Sequence, residues 1–256
     1  MTGISTWSTT AKENIDGHEL HHLVVGTSDT DQAIAWAAAT IPSQYASPAR
    51  VARLLSRLGK SAAAAYIENK LPTTPRARSG ELGEIVGTRY ASDELGYQTI
   101  ARLRWADHRE MAMRGDDIIG VRATGEGSVE FLKGEAKSRA QLGNSTVSEA
   151  DDALQRDNGR PSPHALEFVA DRLHNGGQSD LADLIDDAML VKGIRQRQVQ
   201  HLLFTFSGND PRTPLRTNTQ RYHGRIRRFA VGVQVPEHQA FVAAVYTKVI
   251  DNARER

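Results

Sequence analysis

The stretch RGDDIIGVRATGEGSVEFLKGEAKSR, residues 114 to 139, limits the possible folds of this chain more than any other part of it. Ile118 to Ala123 and Val129 to Lys137 have the composition of strands, and Gly125, Glu126 and Gly127 between them supply turn residues that tolerate positive φ. A three-residue loop sets Thr124 against Ser128, and that register sets Asp117 against Glu135. The period of two then puts Ile119, Val121, Val129 and Phe131 on the same face as the two acids. Directly opposed residues have Cβ atoms about 4.5 to 5.5 Å apart. Two carboxylates that close repel each other, so the pairing is costly unless a proton or a cation lies between them. A divalent metal is the usual resolution.

Lys137 follows two residues after Glu135, on the same face. An ammonium there can orient an attacking water or help it lose a proton, as hydrolysis of a phosphodiester requires. Carboxylates suit Mg²⁺, which takes few protein ligands and keeps several waters, and Mn²⁺ can substitute for it. The competing reading is a solvated strand face on which Lys133, Glu135 and Lys137 alternate because a strand has two sides.

Asp117 followed by Glu135-Ala136-Lys137 on the paired strand resembles the PD-(D/E)XK nuclease core. More narrowly, SGELGEIVGTRY, GDDIIGV and FLKGEAKSR, spanning about residues 80 to 139, look like the nuclease subunits of Hachiman-type anti-phage systems, the HamA family. The resemblance implies a restriction-endonuclease-like α/β fold and Mg²⁺-dependent cleavage of DNA. It also implies a helicase partner in a heterodimer that restrains the nuclease until infection is sensed. A helix before the hairpin would direct a glutamate at the metal. Glu84 is preferred over Glu81, being deeper in the helix beside Ile85, with Gly87 allowing close packing. The Ala136 carbonyl is a further ligand that similar folds suggest. Asp116 beside Asp117 leaves the metal-binding aspartate ambiguous by one position, and strand alternation favours Asp117.

A chain of 256 residues can bury a substantial core without staples. The absence of cysteine excludes disulfides, Cys-ligated zinc, iron-sulfur clusters and thiol nucleophiles. No apolar run reaches the ~18 residues of a membrane span, and the first residues lack a secretion pattern, so a soluble cytoplasmic protein is expected. The net charge of +1 is small for a protein that grips DNA unaided, which points to a local basic channel or a partner that captures the DNA. Charge is uneven: residues 180 to 188 are acidic, whereas residues 212 to 228 hold six arginines and no acid.

The expected architecture is α/β, a mixed central sheet with the hairpin at its centre and helices on both faces. An N-terminal α/β extension, residues 1 to 75, packs on a core of residues 76 to 256. Residues 1 to 17 read as irregular or a weak strand. His18-Glu19-Leu20-His21-His22 matches the zinc pattern H-E-x-x-H, but Gly17 and the β-prone Leu23-Val24-Val25 around it favour a strand. Helices are expected after Thr27 to Asp29, after Ser47-Pro48 with a break at Gly59, and from about Glu81 to Leu95. LPTTPRARSG reads as a linker, YQTIARLRW as a strand, and NDPRTPLRTNTQRYHG as a loop between the last two strands. Arg109, Arg114 and Arg139 are candidates for nucleic-acid contact, with His108 near them. The alternative function is a nuclease-shaped module that binds DNA or protein without cutting.

Overall fold

The computed structural model describes residues 3–101, 103, 115–125 and 127–255. Its centre is a seven-stranded mixed sheet in the order β1-β2-β7-β6-β5-β4-β3. The strands are β1 (Thr9–Ile15), β2 (His18–Val24), β3 (Gln98–Thr99), β4 (Ile118–Thr124), β5 (Ser128–Arg139), β6 (Val199–Ser207) and β7 (Arg227–Gln234). β2, β7, β6 and β5 run parallel, and an antiparallel pairing closes the sheet at each end. β6 and β7 are buried along nearly their whole length, because helices cover both faces of a parallel sheet and leave neither side in water. β1, polar and largely exposed, protects one edge.

The hairpin lies beside the centre of the sheet. The β1-β2 hairpin adds two strands beyond β7, which moves the midpoint to β6. The N-terminal segment thereby continues the same sheet as the core.

One face is covered by α1 (Thr30–Tyr45), α3 (Pro75–Asp93) and α8 (His238–Glu255), with α2 (Pro48–Glu68) packed on α8 and α1. Their core includes Tyr90, Ile118, Leu132, Phe204 and Tyr246. The other face carries α4 (Asn144–Gln155), α5 (Pro163–Asn175), α6 (Ser179–Asp186) and α7 (Arg212–Arg221). There Ile119, Val121, Val129 and Phe131 pack with Leu166, Val169 and Ile185.

The expected break in α2 is present, with Gly59 at φ 81° between two helical stretches. α3 starts earlier than the sequence suggested. Thr74 accepts a hydrogen bond from the Ala77 N–H and Pro75 occupies the first helical turn, so the apparent linker is a helix start that carries Arg76 and Arg78. The stretch read as a loop between β6 and β7 contains α7. Asp210 accepts from the Arg212 N–H ahead of it, and Leu215 and Pro214 are buried beneath it, so tertiary packing outweighs the two prolines that suggested a loop. Of the strand read in YQTIARLRW, Gln98–Thr99 pairs with β4, and Arg102 together with residues 104 to 114 lies outside the described residues.

Candidate functional site

The hairpin register is Thr124 opposite Ser128 and Ile118 opposite Gly134, the last rung between β4 and β5. Beyond that rung β5 continues alone alongside β6 as far as Arg139. Asp117 sits where the strands part, and its Oδ2 accepts the Ala136 N–H at 3.0 Å, a donor that β4 no longer reaches. The N–H and C=O of one strand residue leave on the same edge, so the Ala136 carbonyl faces the side from which Asp117 approaches.

Alternation along β5 sends Leu132 and Ala136 toward α3, and sends Phe131, Lys133, Glu135 and Lys137 toward the opposite layer. Glu135 is mostly buried, and Lys137 Nζ donates to its Oε1 at 2.6 Å. The Glu135 carboxyl is pushed up to about 7, first by burial and then by the charge of Asp117, against the opposing pull of Lys137. Two carboxylates and an ammonium are therefore electrostatically linked where the strands diverge.

Glu84 comes from α3, on the other layer. It lines a narrow recess together with Asp117, Gln44, Thr88, Ile100 and Leu103. Asp117 thus shares the recess with Glu84 and repels Glu135. Gly87 sets how closely α3 approaches: a Cβ there would lie 2.6 Å from Ile118 Cδ1 and 3.0 Å from a Phe204 ring carbon. Among the described residues no group of three or more His, Cys, Asp or Glu converges as a metal cage. The oxygen-only set of Asp117, Glu135 and the Ala136 carbonyl fits Mg²⁺, which needs few protein ligands, and the Glu135–Asp117 repulsion is what a divalent cation would relieve.

The two second choices have other roles. Asp116 is buried, accepts the Ser162 N–H at 2.9 Å, and lies 3.4 Å from the ammonium of Lys133. Lys133, only 1% exposed, also donates to the carbonyls of Arg156 and Arg160, so these charges hold the start of β4 to the α4–α5 connection. Glu81 accepts a hydrogen bond from the Tyr45 hydroxyl, which points it toward α1 and α8. Arg139 is exposed at the end of β5 and donates to the Ser138 carbonyl. Arg109, Arg114 and His108 lie outside the described residues. Gln44 and Thr88, which line the recess, carried no signal in the sequence, since only packing of α1 and α3 brings them to it.

The H-E-x-x-H histidines occupy β2 and are spread over separate partners. His18 Nδ1 accepts from the Arg228 N–H, His21 bonds the hydroxyl of Tyr90 and the carboxylate of Glu19, and His22 meets Gln234. Burial lowers the pKa of all three imidazoles. No helix is long and apolar enough to cross a membrane among the described residues.

A family model described as HamA matches residues 3–249 of the chain. A Bacillus cereus protein, Hachiman protein HamA, is 25% identical over 258 residues that cover 97% of this chain and 92% of the relative.

Proposed function

Because the chain belongs to the HamA family, we propose that it is a Mg²⁺-dependent deoxyribonuclease of the PD-(D/E)XK type, acting beside a helicase subunit in a Hachiman-type anti-phage complex. The observation that carries this reading is the half-buried pair of Asp117 and Glu135, coupled through their charges, with Lys137 hydrogen-bonded to Glu135. A protein that only bound DNA would gain nothing from a repulsive carboxylate pair at the open end of a hairpin.

Asp117, Glu135 and the Ala136 carbonyl would hold the metal, with Glu84 as the third acid across the recess. When bound, Mg²⁺ supplies a Lewis acid for the phosphoryl oxygen and lowers the pKa of water. Asp117 is fixed for this task by the Ala136 N–H, which orients one of its oxygens. Lys137 Nζ, anchored on Glu135 Oε1, orients the attacking water and offsets the negative charge that develops on the phosphate. The partner supplies strand separation and much of the DNA capture, consistent with a net charge of only +1.

The test is plasmid cleavage with Mg²⁺, with and without the helicase subunit, comparing wild type with Glu135→Ala plus Lys137→Ala. Cleavage should fall by at least about 100-fold, the scale of a lost general base and charge partner. Unchanged cleavage in the double variant removes the site, and binding without any cleavage in wild type leaves a non-cutting module.

A further inference from the structure

The first turns of α3 and α8 flank a cleft that the chemistry above does not use. It is lined by Arg76, Arg78 and Ser79 of α3, Ser138 and Arg139 of β5, and His238 of α8, and its lining contains no acid. The contacts of its guanidiniums are to neutral groups. Arg78 Nε donates to the Pro72 carbonyl at 2.9 Å and its guanidinium lies 5.2 Å from the Tyr246 ring centroid, while Arg139 donates to the Ser138 carbonyl. Arg76 is exposed. These charges stand where two long helices begin, with first-turn N–H groups and dipoles that favour an anion.

A second observation is independent of charge. Ser79 Oγ and Ser138 Oγ are 2.8 Å apart, and Ser138 Oγ is 3.0 Å from His238 Nε2. His238 is only 4% exposed, yet its Nδ1 has no hydrogen-bond partner among the described residues. The wall of the cleft is therefore a connected polar chain, Ser79–Ser138–His238, whose hydroxyls lie beside the guanidiniums in the same lining.

We propose that this cleft grips the phosphodiester backbone of a nucleic-acid strand on its way to the recess of Glu84 and Asp117. The proposal rests on the nuclease reading and extends it. Arg76 and Arg78 precede Glu84 by six to eight residues of α3, roughly 9 to 12 Å along the helix axis. Ser138 and Arg139 follow Glu135 by three and four residues of β5, roughly 10 to 13 Å along the strand. A strand advances roughly 3.4 Å per nucleotide along a duplex axis, so the two places are about three or four nucleotides apart. Three guanidiniums from two different elements line one cleft, an array suited to successive phosphates of one strand.

The experiment is fluorescence anisotropy of a labelled oligonucleotide with the full chain, in EDTA so that no cleavage occurs, from 50 to 200 mM salt. Wild type should bind with a steep salt dependence. Arg76→Gln with Arg78→Gln and Arg139→Gln should weaken binding at least tenfold and reduce the slope of log K against log salt by roughly 0.7 to 0.9 per lost contact. Replacing the same three residues by lysine should restore most of the slope, and Arg76→Gln alone, at an exposed position, should remove about one contact's share. Equal affinity and slope in the triple glutamine variant, or a wild type that does not bind, overturns the proposal. So does displacement by inorganic phosphate as effective as by unlabelled oligonucleotide at equal phosphate concentration, since the site would then take a single anion. The readout is independent of cleavage. Weakened binding in the triple variant with cleavage intact in Glu135→Ala supports the cleft and removes the catalytic reading. Normal binding in the triple variant with cleavage lost in Glu135→Ala does the reverse.

Discussion

Replacing Glu135 by Gln should stabilise the metal-free protein above neutral pH and sharply reduce its response to Mg²⁺. The Glu135 carboxyl has its pKa raised from 4.5 to about 7 in the fold, by burial and by Asp117, with Lys137 opposing. The difference corresponds to about 3 kcal/mol. The folded chain holds this proton more tightly than the unfolded chain does. Below pH 4.5 the group is protonated in both states and costs nothing. As pH rises from 4.5 toward 7 the unfolded chain ionises first and stability declines, and above 7 the folded state bears the whole penalty. Glutamine keeps the shape and can still accept from Lys137, but it carries no charge to repel Asp117. Urea unfolding in EDTA from pH 5 to 8 should therefore give an advantage for Glu135→Gln that grows from under about 1 kcal/mol at pH 5 to about 3 kcal/mol at pH 8. Mg²⁺ at a hundred times its dissociation constant should raise wild type by about 2.7 kcal/mol through binding only the folded state. The variant should gain far less. Parallel pH profiles for the two proteins, or an equal Mg²⁺ effect on both, would refute the claim that Asp117 and Glu135 form a charge pair awaiting a cation.

Adjacent aspartates should separate cleanly: Asp117→Asn is expected to lower plasmid cleavage at least about 100-fold, whereas Asp116→Asn should keep cleavage and lose about 1 to 3 kcal/mol of stability in urea, because its buried partners are Ser162 and Lys133. Lys133→Met removes the buried ammonium that lies 3.4 Å from Asp116 and donates to the Arg156 and Arg160 carbonyls, and denaturation should register a loss of about 3 to 5 kcal/mol. Gly87→Ala forces a methyl against Ile118 and Phe204. A thermal melt should show destabilisation of about 1 to 3 kcal/mol, together with reduced cleavage as α3 and Glu84 are pushed from Asp117.

The hairpin register was fixed by local rules: a glycine-flanked turn and a period of two give Thr124 opposite Ser128 through Ile118 opposite Gly134, while the expected Asp117–Glu135 rung does not form, because the strands part there and Asp117 bonds the Ala136 N–H instead. The break at Gly59, the strand character of the histidine segment and the mixed α/β layering were legible for the same reason, since each depends on a window of a few residues. The order of the strands was not. Nothing within β2 announces that it lies parallel to β7, some two hundred residues later, and that pairing shifts the centre of the sheet to β6. α7 was hidden by its prolines and arginines because the burial of Leu215 that stabilises it is set by neighbouring elements. Likewise Lys133, Glu135 and Lys137 are equivalent on a strand pattern, and only packing distinguishes them, burying Lys133 against helix-end carbonyls and leaving Lys137 at the open end beside Glu135. The chain of Ser79, Ser138 and His238 joins residues up to 159 positions apart. Periodicity and turn chemistry act through neighbouring peptide units and can be read from sequence, whereas burial and the pairing of distant charges belong to the closed sheet and its helical layers.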